Sequence, residues 1–216
     1  DSTEEFQAMF SVRGKALYTK MDFLFKMIGE ILNSSKLEDT KRLYEIVASV
    51  KSRAQVNLTG AGHSTAVLRA AAYSSPMAAF QDEMAGIGYY QFIEKLEKDF
   101  EQRKEETVEE LCKLMKKILR PENFMISYTG ERESLETVQK LAGAVKAGLG
   151  TEPVEKSKEK LTCTKKNEGF KTSGQVQYVA QTGNFKKKGL EYTGALEILK
   201  VILSYDYLWM NLRVKG

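Results

Sequence analysis

Apolar positions recur at helical spacing through much of the first 150 residues. Met21, Leu24, Phe25, Ile28 and Leu32 predict an amphipathic helix over residues 20–33. Ser35 followed by Glu38 is a capping-box pattern that starts a second helix, with Leu43, Ile46, Val47, Val50 and Ala54 on one face. Gly60 and Gly62 interrupt that pattern. The Ala-rich residues 64–72 favour helix again. Pro76 opens a helical segment to about Met84, and Gly86 and Gly88 break it. Residues 89–100 and 107–119 predict two more helices. The second carries a Thr107/Glu110 capping box and the stripe Val108, Leu111, Cys112, Met115 and Ile118, and Pro121 stops it. Residues 132–148 predict a helix with Leu135, Val138, Leu141, Val145 and Leu149 inward.

Three stretches alternate instead. Residues 6–17 predict a strand with Phe10, Val12 and Gly14 on one alternation. In residues 124–129, Phe124, Ile126 and Tyr128 alternate with Met125, Ser127 and Thr129, and Gly130 ends the run. Val176, Tyr178 and Ala180 alternate with glutamines in a third strand. Mixed in this way, the elements predict an α+β chain, helix-rich, with antiparallel sheet layers. Residues 150–173 change character, since half of positions 152–171 are charged and few are apolar. They predict an exposed linker. Lys186, Lys187 and Lys188 mark a turn. Residues 193–212 predict a long helix so apolar that it must pack on two sides.

Composition narrows the chemistry. The chain has 216 residues, 42% apolar and 29% charged, an ordinary globular mix. No apolar run reaches the ~18–20 residues of a membrane span. The start has neither a basic nor an apolar signal region and no Met, so the chain is expected to be a piece of a longer one. Two cysteines, Cys112 and Cys163, build no disulfide framework. His63 is the single histidine, so this chain alone holds no zinc site built on two histidines. Net charge is +4, with the excess in residues 150–216, which permits an anionic partner without demanding one.

The candidate motifs each carry a bland alternative. Gly60-Ala61-Gly62-His63-Ser64 could bind an anion through backbone N–H groups, or place Ser64 beside His63 as a nucleophile. With no third member nearby, a tight helix–helix connection is the simpler reading. The Lys186–Lys188 run could contact phosphate, yet no nucleic-acid signature accompanies it, and a solvated loop suffices. Asn33-Ser34-Ser35 and Asn57-Leu58-Thr59 match the glycosylation acceptor pattern by chance. Glu105/Glu106 and Glu109/Glu110 fall on a charged helix face and read as solvated. Arg213, at the end of the apolar helix, could grip a carboxylate or peptide carbonyl. It equally suits a helix C-terminus.

Residues 203–216, Leu-Ser-Tyr-Asp-Tyr-Leu-Trp-Met-Asn-Leu-Arg-Val-Lys-Gly, resemble the C-terminal half of the presequence-protease branch of the insulinase/pitrilysin-type zinc metallopeptidases. Residues 176–185, the Gly-His-Ser…Leu-Arg-Ala-Ala pattern of residues 60–73 and Phe-Ser-Val-Arg-Gly-Lys-Ala-Leu of residues 10–17 resemble it too. The resemblance implies the insulinase/mitochondrial-processing-peptidase-like fold, truncated at both ends. Residues 1–149 would be the latter part of a third domain, 150–173 a linker and 174–216 the start of a fourth. It implies a non-catalytic piece of an endopeptidase that degrades unstructured peptides in an enclosed chamber. Zinc would belong to the parent, on a His-x-x-Glu-His motif that this chain lacks. Arg213 matches the family's substrate-backbone arginine, whereas the partnering tyrosine would come six residues later, past the last residue given. Expected partners are peptide substrates and the N-terminal catalytic half, with no nucleic acid and no membrane. Uncovered edges and faces predict self-association, by strand exchange. Bacterial cytoplasm is the expected compartment, and mitochondria and plastids remain open. The alternatives are a stand-alone helical interaction module and an inactive peptidase homologue.

Overall fold

A computed structural model describes residues 6–154, 161–172 and 174–215. Among these residues eight α-helices carry the architecture: α1 Met21–Ser34, α2 Thr40–Gly60, α3 Gly62–Ala72, α4 Pro76–Ala85, α5 Ile87–Lys98, α6 Phe100–Ile118, α7 Leu135–Ala147 and α8 Gly194–Ile202. From Leu203 to Val214 the last helix continues in wider π turns.

The helix starts follow local chemistry, though two of the expected caps act otherwise. Asp39, rather than Ser35, caps α2 by accepting from the Arg42 N–H at 3.0 Å. The Ser35 hydroxyl donates back to the Ile31 carbonyl at the end of α1. Ser75 caps α4, with Pro76 in the first turn where its missing N–H costs nothing. Thr107 lies inside α6 and donates its hydroxyl to the Arg103 carbonyl at 2.8 Å. Helix α6 therefore begins seven residues earlier than its capping-box pattern suggests, with only Asp99 between it and α5.

Antiparallel helix packing forms the centre. Val47 of α2, Ile93 and Leu96 of α5 and Phe100 of α6 are buried together, flanked by Leu43, Val50 and Tyr89. Phe100 is 1% exposed, and its ring lies 5.4 Å from that of Tyr44. Lys51 of α2 and Glu97 of α5 pair at 2.7 Å along the rim of this core. Helices α3 and α4 form a short antiparallel pair, and α4 leans on α5. Helix α7 packs on α1, with Val145 facing Gly29, and it buries Val138, Ala142 and Val145. Leu135, expected inward, is exposed because it stands at the helix entry.

The α+β expectation is corrected by this structure. Among the described residues the chain is helical, and no strand or sheet is present. The three alternating segments are non-helical, as period-two sequences should be. Each lies alone, and a ladder needs a second extended segment in register. Residues 6–17 rest on helices instead, with the Phe6 ring 5.1 Å from that of Phe80 and Gly14 against Leu24. Residues 124–129 bridge α6 to α7. Tyr178 of the third segment lies on the first turn of α3. Alternation specified a local conformation; the absent neighbour decided against a sheet.

The long C-terminal helix differs from its expectation as well. Every residue from Glu197 to Lys215 is exposed, including Ile198, Tyr205, Tyr207, Trp209 and Leu212. The two-sided packing that its composition calls for is not made here.

Candidate functional site

Arg213, the substrate-binding residue expected from the sequence, stands in the last turn of the π-type helix. It is exposed, with no hydrogen-bond or ion-pair partner among the described residues. No other candidate residue is brought near it.

His63 is the second residue of α3, exposed, with its ring 6.3 Å from that of Tyr178. Ser64 is exposed beside it in sequence and joins no catalytic arrangement. Gly62 explains part of the motif, since a Cβ there would fall 2.4 Å from the Tyr178 ring. The glycine lets a side chain from 116 positions downstream lie on the helix start. The bland reading of the motif as a helix connection therefore stands, with a tyrosine contact added.

The lysine run forms a single 3-10 turn, Lys186–Lys188, closed by Gly189 at φ +79°, a backbone that favours glycine. Lys187 reaches back to α3, where its ammonium donates to the Ser74 carbonyl at 3.0 Å. It thus satisfies an orphan carbonyl at a helix end. The acidic pairs of α6 face solvent. Glu106 pairs with Arg103 at 2.9 Å, and Glu109 and Glu110 share Lys113 at 2.7 and 3.1 Å. Among the described residues no three His, Cys, Asp or Glu side chains stand close enough to hold a metal ion, so the residues present do not fit a zinc site. Nor is any helix there long and apolar enough to cross a membrane.

The most developed polar cluster went unseen in the sequence. It centres on Asp82, 1% exposed in the last turn of α4. Its two oxygens accept from the N–H groups of Ile87 at 3.0 Å and Gly88 at 3.1 Å, capping α5. The same carboxylate accepts from Arg69 of α3 at 2.6 Å. A buried charge is tolerated only when paired and fully hydrogen-bonded, and Asp82 has three donors. Gly86 and Gly88 are required by this geometry. A Cβ on Gly86 would sit 2.9 Å from the Asp82 Cα and closer still to its carboxylate.

Arg69 has a second partner. Its Nε donates to Glu168 at 2.6 Å, and the Tyr73 hydroxyl donates to the same oxygen. The rings of Tyr73 and Phe170 lie 5.9 and 5.7 Å from the guanidinium carbon. The Arg69 hydrogen bond holds the Glu168 carboxyl below its usual pKa. Burial, then the hydrogen bond to Glu168, push the Tyr73 hydroxyl up. Arg69 itself is pushed further above its ordinary value, chiefly by Glu168. One signal could have disclosed the cluster: a lone arginine in an Ala-rich helix, followed by an aspartate four residues before Gly-x-Gly.

Comparison with known proteins fixes the family. Residues 1–96 match a peptidase-associated family, the one described as accompanying subfamily C of the insulinase-type metallopeptidases. The chain is 34% identical over 212 residues to the protein HypA of Clostridium perfringens, an alignment that covers 98% of this chain and 22% of that protein. It is 27% identical over 209 residues to presequence protease 1, chloroplastic/mitochondrial, of Arabidopsis thaliana, covering 95% of this chain and 19% of that one. The mitochondrial presequence protease of Yarrowia lipolytica is 25% identical over 218 residues, covering 97% and 22%. The chain belongs to the insulinase-type peptidase family, as a region of its C-terminal half. It spans about a fifth of the length of these relatives.

Proposed function

We propose that this chain is a non-catalytic part of a zinc metalloendopeptidase that degrades unstructured peptides inside an enclosed chamber. The supporting observation is the likeness to presequence proteases along nearly the whole chain, at 27% and 25% identity. In this reading residues 1–149 and 174–216 belong to two successive domains and form chamber wall. The N-terminal catalytic half is the partner that holds zinc, and no step through the metal is derived for residues of this chain. Arg213 contacts the peptide backbone, for which an exposed and unpaired guanidinium is chemically suited. Bacterial cytoplasm is the proposed compartment, in keeping with the clostridial relative, although two other relatives are named for organelles.

Substituting Arg213→Ala in the whole enzyme tests the site. The expected result is a fall of roughly tenfold or more in kcat/KM for an unstructured peptide, as for loss of one charge-assisted hydrogen bond of about 1.5–3 kcal/mol. Unchanged kinetics would overturn the role of Arg213.

One observation favours a second reading, a helical interaction module. The helix beginning at Gly194 exposes apolar side chains on every face, which marks an interaction surface. Light scattering on the chain should then show mass rising with concentration. A one-chain mass at high concentration counts against this reading.

A further inference from the structure

We infer that the stretch from Glu168 to Lys187 is a releasable strap over α3, latched by Glu168 on Arg69, and that breaking this single latch frees the whole strap. The described parts of the stretch are residues 168–172 and 174–187. Three contacts trace its path out and back along one short helix. Glu168 meets Arg69 and Tyr73 near the C-terminal end of α3. Tyr178 lies on Gly62 and beside His63 at the N-terminal end, about 16 Å away by helix rise. Lys187 then returns to the Ser74 carbonyl just past the C-terminal end.

Side chains alone hold this stretch. Among the described residues, positions 161–184 make no backbone hydrogen bond to any helix. Segments without such bonds lie at the low end of local stability, so a few side-chain contacts decide whether they stay docked. The latch is asymmetric. Arg69 is 14% exposed and fixed by Asp82, which three donors hold in place. Glu168 sits on the segment with no secondary structure. On release the receptor keeps its shape, and only the strap moves.

The 216-residue chain can be tested directly. Trypsin cleavage after Lys171 reports opening, because proteolysis tracks the open population when reclosing is fast. His63, the single histidine, reports the far end by the NMR signal of its imidazole, which sits beside the Tyr178 ring. In Glu168→Gln, cleavage after Lys171 should accelerate about tenfold, as for ~1.4 kcal/mol. The His63 signal should move toward its position in Tyr178→Ala, while far-UV circular dichroism stays unchanged. Unchanged cleavage overturns the latch. Faster cleavage with a His63 signal at its wild-type position overturns the strap as one unit. Should Glu168→Gln lose helicity, Tyr178→Ala carries the test from the other end. It should also speed cleavage after Lys171, and equal rates refute the proposal.

Discussion

Asp82 joins three helices through one carboxylate. It terminates α4, caps α5 and anchors Arg69 of α3. Asp82→Asn keeps the shape and removes the charge from a buried pair. Loss of about 3 kcal/mol in a denaturant titration is expected. Gly86→Ala should cost about 1–3 kcal/mol, because the added methyl meets backbone as well as the carboxylate. By contrast Gly143 has open space around its would-be Cβ. Gly143→Ala should leave the melting temperature unchanged or raise it slightly, since alanine suits a helix interior better. Glu168 gives a pH dependence with a definite sign. Its folded-state pKa is lowered, so its contribution is present above the unfolded value near 4.5 and is lost as pH falls through the folded one. The charged and titratable groups facing it are Arg69, Tyr73 and Lys166, with Asp82 behind Arg69. An acid titration should show wild type losing stability relative to Glu168→Gln below about pH 4.5. Parallel curves across that range would show that the carboxylate contributes nothing.

Helices were legible to the extent that one face was buried. The α6 stripe of Val108, Leu111, Cys112, Met115 and Ile118 is half-buried along its whole length, as the 3.6-residue period requires. Met21, Leu24, Phe25, Ile28 and Leu32 turn inward on α1 in the same way. Ile46 and Leu135 do not, because the width of an apolar stripe depends on which neighbour covers it. Caps were less legible. Ser35 and Thr107 had the right spacing to a glutamate, yet each hydroxyl donates to a carbonyl four residues back. Phe100 shows what an element boundary can carry. It is the first residue of α6 and the most deeply buried of the central core. Phe100→Ala should cost about 3–5 kcal/mol, read as a drop of roughly 10 °C in the thermal melt. A drop of a degree or two would mean that the α2–α5 core closes without it.

At the scale of the molecule the chain divides into a packed helical part and a bare helix. The cores of α1 with α7 and of α2 with α5 and α6 lie upstream of residue 150, while the last helix exposes nearly everything it has. Removing residues 193–216 should therefore leave the melting temperature of the helical part within a few degrees. It should also abolish any concentration-dependent mass. A large drop in melting temperature would show that the helix is docked after all.

The sequence by itself determined the family, through a run of identical residues, and most of the helices, through periodicity. Both are local properties that survive without knowledge of what lies alongside. Three outcomes belonged to tertiary structure. Residues 6–17, 124–129 and 176–180 form no sheet, because pairing requires a second segment that alternation cannot supply. Arg69, Asp82 and Glu168 meet across 99 positions of chain, and no spacing rule relates residues that far apart. Arg213 ends a helix whose apolar faces are uncovered. Hydrophobic composition states that a surface should be buried, and only the three-dimensional arrangement states against what.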